Sequence, residues 1–346
     1  MFELKTYILR SINQTMGNYK YKITHVGIHT VEALEPEKKE LEKIGAEQVV
    51  FPTLTTEDEM IKSTQGSDGM IIMESDVSRA VMEASPNCKV ILRTGVGVDT
   101  IDIESATDLG IAVVNVPDVW IREVANHALS LILACNRRLF LLDSRIRSGE
   151  WPRTIPSPVG SLHGETVGII GFGQIGRELA IRVKPLGLKV LVSDPYVSNK
   201  VIEEFGVERV SLDKLLENSD YVSLHTPLTD ETRHIIDENA LKKMKPNAYV
   251  INTARGPVVD NKALAKALSE QWITGAGIDV FEQEPPKDNP LTKLENIILT
   301  SHAAYYSDPA LEALAIRCGQ EVARVLMGKV PMHLVNKDVL AKLKLK

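Results

Sequence analysis

Three side chains far apart in the sequence, Arg255, Glu284 and His302, have the types needed to grip a small anion and move a proton. Arg255 follows an apolar run at residues 249–252, so a parallel sheet would deliver it at a strand's C-terminal end, where open α/β sheets bind ligands. Its planar guanidinium can hold a carboxylate and a carbonyl oxygen together, which a lysine cannot copy. His302 follows another apolar run, residues 297–300, and an imidazole titrating near neutrality can give a proton to an alkoxide and take it back. It is the candidate general acid/base. Glu284, in a Pro-bounded loop upstream, is expected to accept a hydrogen bond from the other ring nitrogen, holding the tautomer and favouring the protonated ring.

A second constellation binds. The apolar run at residues 166–170 is followed by Gly171, Gly173 and Gly176 and then by helix-forming sequence. Gly171 suits a tight turn, Gly173 lets the backbone approach a pyrophosphate, Gly176 allows close helix–strand packing, and the helix N-terminus beginning at Gln174 and Ile175 offers N–H groups to the anion. The next run, residues 189–193, ends at Asp194, placed to accept hydrogen bonds from an adenosine ribose and to repel a 2′-phosphate. This spacing predicts NAD(H) rather than NADP(H). A third feature is the loop Arg93-Thr-Gly-Val-Gly-Val-Asp99, whose small residues can aim backbone N–H groups at a carboxylate, a second anion cradle facing the first.

These groups need a scaffold of parallel strands. Apolar runs alternate with helix-like stretches at residues 23–28, 49–51, 70–73, 90–93 and 112–116, then again at 166–170, 189–193, 221–224, 249–252, 275–280 and 297–300. Such alternation implies βαβ units, and six strands in the second series complete a dinucleotide-binding sheet. Residues 120–149 read as one long helical pattern crossing between domains, and residues 309–328 as a helix returning to the first. The mixed charges of residues 35–43 read as a solvated helix face.

Composition narrows the class. The chain has 346 residues, 44% hydrophobic and 25% charged, with a net charge of −6 and no basic stripe, which argues for a small-molecule partner and against nucleic acid. Cys88, Cys135 and Cys318 are odd in number and far apart, fitting free thiols in a reducing, cytoplasmic compartment. No run is long enough to span a bilayer, so no membrane role is expected, and residues 1–20 read as a loosely attached leader within which Met16 is an alternative start. His25, His29, His127, His163, His234 and His333 show no ligand spacing and receive no role; no metal is expected. Trp120, Trp151 and Trp272 read as packing.

Gly171–Gly176 with Asp194, Asn252-Thr-Ala-Arg-Gly256, and residues 277–285 followed by Ser301-His302-Ala-Ala resemble the D-isomer-specific 2-hydroxyacid dehydrogenases in combination and order, over essentially the whole chain after Tyr21. Within them, residues 302–307 and 335–338 look most like the C-terminal binding protein branch. The resemblance implies an α/β architecture with a Rossmann-type NAD-binding domain (120–309) and a split flavodoxin-like substrate domain (21–119 and 310–346), dimeric through the cofactor domains. It implies hydride transfer between NAD(H) and a small D-2-hydroxy acid or its 2-keto acid, with glyoxylate or hydroxypyruvate as plausible substrates. A dinucleotide-sensing scaffold and a phosphoglycerate dehydrogenase are the alternatives. By the same carry-over, the amides of Val96, Gly97 and Val98 hold the substrate carboxylate and Arg93 contacts substrate. Asp279 and Ala303 lie near the nicotinamide carboxamide, Thr253, Ala254 and Val124 line or back its ring, and His225, Thr226 and Pro227 flank the adenosine. Arg255 and His302 lie beside the cofactor too. The branch usually has tryptophan where this chain has Tyr305, so the substrate pocket is altered there and a preference for bulky apolar acids is not inherited.

Overall fold

The structure, a computed structural model, describes residues 19–27, 32–155 and 158–346. Most of the expected leader with Met16, and also Ile28 and His29, lie outside the described residues. The chain divides into two compact units, Met1–Val119 with Ser307–Lys346, and Trp120–Tyr306. The second crossing falls at Tyr306/Ser307 rather than after residue 309, because the Ser307 side chain already accepts the Ala310 amide as the cap of helix Asp308–Leu326.

In the first unit five parallel strands, β1 (Tyr21–Val26), β2 (Ala46–Phe51), β3 (Gly69–Ile72), β4 (Val90–Arg93) and β5 (Ala112–Asn115), lie in the order β2-β1-β3-β4-β5. That order is flavodoxin-like. Alternate residues bury on opposite faces. Met70, Ile72, Ile91 and Val113 pack under Met60 and Val81, whereas Ile71, Leu92 and Val114 pack under Cys318, Val322 and Val325 of helix Asp308–Leu326. Gly319 lets that helix approach closely: a Cβ there would stand 2.7 Å from the Glu37 carbonyl oxygen. Asn336 completes the edge. It accepts the Val113 amide at 2.8 Å and donates to the Ile111 carbonyl at 2.9 Å.

In the second unit β6 (Thr166–Ile170), β7 (Lys189–Ser193), β8 (Glu208–Arg209), β9 (Tyr221–Leu224), β10 (Tyr249–Asn252), β11 (Gly275–Ile278) and β12 (Ile297–Leu299) form a parallel sheet in the order β12-β11-β10-β9-β6-β7-β8. This is a dinucleotide-binding order, and the direction of winding reverses between β6 and β9. The sheet has seven strands, not the expected six, because the polar two-residue edge strand β8 carries no apolar signal. Both faces are covered, which is why its inner strands are mostly apolar and buried.

The long helix expected over residues 120–149 is two helices, Ile121–Asn136 and Leu139–Arg147, both inside the second unit. Arg138 takes a left-handed conformation (φ +53°) that ends the first helix, so the crossing lies before the helix rather than along it.

Candidate active site

The C-terminal ends of β10, β11 and β12 deliver the reactive groups. β10 ends at Asn252, whose side chain accepts the Ala254 amide (3.0 Å) and donates to the Arg255 carbonyl (3.0 Å), fixing the turn that presents Arg255. Gly256 lets this turn press against the segment after β11. A Cβ on Gly256 would stand 1.9 Å from the Phe281 carbonyl carbon and oxygen. That segment folds back on itself, with the Phe281 amide donating to Glu284 Oε1 at 2.9 Å, while Glu284 Oε2 lies 2.7 Å from His302 Nδ1.

Burial is the largest influence on Glu284 and opposes its ionisation. The His302 hydrogen bond and charge, the Phe281 amide and the Arg255 charge together outweigh it and hold the carboxyl below the usual range. An ionised carboxylate only accepts, so Nδ1 carries a hydrogen and Nε2 becomes the nitrogen for proton exchange.

His302 sits in the left-handed region at φ +54°, uncommon for a residue with a Cβ. Asp279 holds it there. This carboxylate is fully buried; its backbone carbonyl accepts the His302 amide at 2.7 Å, and its side chain accepts the Ala303 amide (2.9 Å), the Ala304 amide (3.0 Å) and the Thr300 hydroxyl (2.5 Å). His127 Nε2 lies 3.0 Å from Thr300 Oγ1. Since that hydroxyl gives its hydrogen to the carboxylate, His127 must donate from Nε2. Sequence reasoning gave His127 no role; the oxygens of Asp279, expected near the nicotinamide carboxamide, accept hydrogen bonds from the backbone that carries His302. The only sequence signal for this was the position of Thr300 at a strand end. Tyr305 lies edge-on to Trp120 (5.5 Å between centroids) and to His302 (6.5 Å).

The glycine loop lies at the end of β6. Gly171 has φ +88°, and a Cβ on it would stand 2.8 Å from the His225 carbonyl group. Gly176 lies so close that a Cβ would fall 2.4 Å from the Gly171 carbonyl oxygen, whereas the same test at Gly173 meets open space. Gly173 caps helix Gln174–Val183, whose first amides have no partner inside the helix, and Gln174 is exposed while Ile175 is half-buried. Asp194 accepts the Phe172 amide at 2.7 Å and the Tyr196 and Val197 amides at 2.8 and 3.1 Å. Across the turn, burial pushes His225 down to about 4, so the ring is neutral, with Nε2 on Ser223 Oγ at 2.8 Å. Among the described residues, His225 Nδ1 and Thr253 Oγ1 are buried polar atoms without a partner. An open glycine, a helix N-terminus and two orphaned polar atoms at strand ends are what a dinucleotide would satisfy. Val124 is buried, Ala254, Ala303 and Thr226 are half-buried and Pro227 is exposed.

In the first unit, β4 ends at Arg93, whose Nη1 donates to the Thr94 carbonyl at 2.7 Å, and Gly95 leaves the space its guanidinium fills. Val96 is exposed and Gly97 and Val98 half-buried, with the Val96 carbonyl held by Asn115 Nδ2 at 2.7 Å.

Residues 129–304 match the family described as "D-isomer specific 2-hydroxyacid dehydrogenase, NAD binding domain". The chain belongs to that family. This dehydrogenase, an NAD-dependent oxidoreductase, is 43% identical over 291 residues to a glyoxylate reductase of Thermococcus litoralis, covering 81% of this chain and 87% of the relative. It is 39% identical over 300 residues to a D-3-phosphoglycerate dehydrogenase of Methanocaldococcus jannaschii, covering 86% of this chain and 57% of that one. The crystal structure of the TT0316 protein from Thermus thermophilus superposes with a TM-score of 0.82 at 33% identity, covering 91% of this dehydrogenase and 99% of that chain. Among the described residues of the dehydrogenase, no helix is long and apolar enough to cross a membrane, and no group of three acidic, histidine or cysteine side chains could hold a metal.

Proposed function

We propose that this dehydrogenase reduces glyoxylate or hydroxypyruvate to the corresponding 2-hydroxy acid with NADH. The observation that carries the reading is the His302–Glu284 contact at 2.7 Å, beside the strand end that presents Arg255. NADH, when bound, supplies the hydride. Arg255 holds the substrate carboxylate and polarises the carbonyl oxygen, while His302 Nε2 gives its proton to that oxygen as negative charge develops on it. Glu284 keeps the ring oriented and its charge compensated. In the first unit, which we assign as the substrate domain, the amides of Val96, Gly97 and Val98, with Arg93, contribute further carboxylate recognition. Thr253, Ala254, Ala303 and Val124 would line the nicotinamide, His225, Thr226 and Pro227 the adenosine, and Tyr305 the substrate. The Asp194 carboxylate favours NADH over NADPH.

The test is NADH oxidation by wild type and His302→Ala against glyoxylate, hydroxypyruvate, pyruvate, phenylpyruvate and 3-phosphohydroxypyruvate. Turnover of a small keto acid by wild type, with a loss of about 10²- to 10⁴-fold in a variant that still binds NADH, supports the reading. Preference for the phosphorylated acid would move the assignment to phosphoglycerate dehydrogenase, which the Methanocaldococcus relative favours. NADH binding with no turnover of any of them would favour a scaffold of the C-terminal binding protein type. That narrower likeness gains no support from the relatives above, and Val335 and Asn336 serve to pin the chain to β5.

A homodimer through the cofactor domains belongs to the same proposal. Helix Leu139–Arg147 has no buried residue, and Leu139, Phe140, Ile146 and Trp151 are exposed. A second copy would cover them, and Phe140→Glu should convert a dimer to monomer in light scattering. A cytoplasmic location is proposed from the three free, buried thiols.

A further inference from the structure

We propose that Glu231, held in place by Tyr196, is a second carboxylate that selects against a 2′-phosphate and so sharpens the choice of dinucleotide. The inference rests on a dinucleotide binding at the glycine loop. The Tyr196 hydroxyl donates to Glu231 Oε2 at 2.7 Å, and the Tyr196 amide donates to Asp194 Oδ1 at 2.8 Å, so one residue touches both carboxylates. Tyr196 follows β7 and Glu231 follows β9, the two strands that flank β6. Their hydrogen bond therefore links the strand ends on either side of the glycine turn.

If Asp194 takes the ribose hydroxyls, a phosphate on the 2′-oxygen must find room beside Asp194, where NADP sites have an arginine nearby. Here Tyr196, two residues after Asp194, has its hydroxyl tied to a carboxylate. The Glu231 hydrogen bond, its charge and the Asp194 charge raise the phenol's pKa, consistent with a negative environment around the ring. Of the cations near this loop, Arg209 on β8 is turned to the Val197 carbonyl and to Asn199 Oδ1, and Arg177 to the Phe172 carbonyl. A phosphate dianion beside Asp194 would be repelled by that carboxylate and, through the part of its field that salt leaves unscreened over roughly 8 Å, by Glu231 beyond Tyr196.

The experiment is titration of NADH and NADPH by energy transfer from protein to nicotinamide, for wild type, Glu231→Gln and Tyr196→Phe. Expected is a tightening of NADPH by about three- to fivefold in Glu231→Gln with NADH moved less than about twofold, an effect that shrinks in about 1 M salt, and a smaller shift of the same sign in Tyr196→Phe. An unchanged NADPH affinity in Glu231→Gln, with normal NADH binding, would overturn the assignment to Glu231 while leaving the cofactor site standing. Wild type binding neither nucleotide would overturn both.

Discussion

Gly256→Ala should separate the groups that must act together. The added Cβ would fall 1.9 Å from the Phe281 carbonyl group and 2.4 Å from the Glu282 amide nitrogen. These are backbone atoms, so no side chain can swing aside, and relief to an ordinary contact near 3.4 Å requires the Arg255 turn and the Glu284 segment to part by about 1.5 Å. Overpacking of this kind costs about 1–3 kcal/mol, or about 2–12 °C of melting temperature for a domain of this size. A displacement of about 1 Å between reacting groups costs about 10²-fold in rate, so kcat/KM for the keto acid should fall by about that factor. Gly168→Ala is the control. Its Cβ meets the Ser219 hydroxyl and Leu215 in the middle of β6, away from these turns, so it should destabilise without lowering specific activity at a temperature where the protein is folded. Thermal melts and steady-state kinetics on both variants decide the matter. Equal losses of specific activity in the two, or full activity in Gly256→Ala, would refute the reasoning.

Glu284→Gln removes a carboxylate whose pKa is depressed in the fold; its stabilisation is present above the ordinary carboxylate range and lost as pH falls through the lowered value. Urea midpoints measured from about pH 6 down to about pH 3 should therefore decline more steeply in wild type than in the variant. Asp279→Ala leaves the Ala303 and Ala304 amides and the Thr300 hydroxyl without their acceptor; at about 1–3 kcal/mol for each unpaired buried group, the melting temperature should drop by about 10 °C or more. His225 is pushed down to about 4, so the unfolded chain takes up a proton before the folded one does, and stability falls from about pH 6.5 towards pH 4. His225→Gln should flatten that part of the stability profile, read by chemical denaturation at each pH.

The strands were legible where they hold a short run of apolar residues, as Tyr249–Ile251 in β10, and the glycine loop because Gly171 and Gly176 meet backbone that leaves no room for a Cβ while Gly173 stays open. The His302–Glu284 pair could be anticipated from a proton donor and a carboxylate in adjoining strand-end segments. What escaped has local causes. β8 is Glu208–Arg209, too short and polar to register, and the helix break at Arg138 uses a left-handed arginine with no glycine to announce it. The support beneath His302 was invisible for a different reason: His127 meets Thr300 across 173 residues, and neither residue type points to the other. Nor does sequence position show that the Asp279 oxygens face backbone amides.

The Asn336 side chain meets the Val113 amide 223 residues earlier in the chain, and the sheet face formed by Ile71, Leu92 and Val114 is closed by helix Asp308–Leu326. During synthesis at about 5–20 residues per second, Val113 is added roughly 10–45 s before Asn336. The continuous second unit can fold within that interval. The nascent first sheet must wait with one apolar face open to water and to chaperones, so a ribosome stalled before helix Asp308–Leu326 should release a chain with one folded unit and one adhesive one.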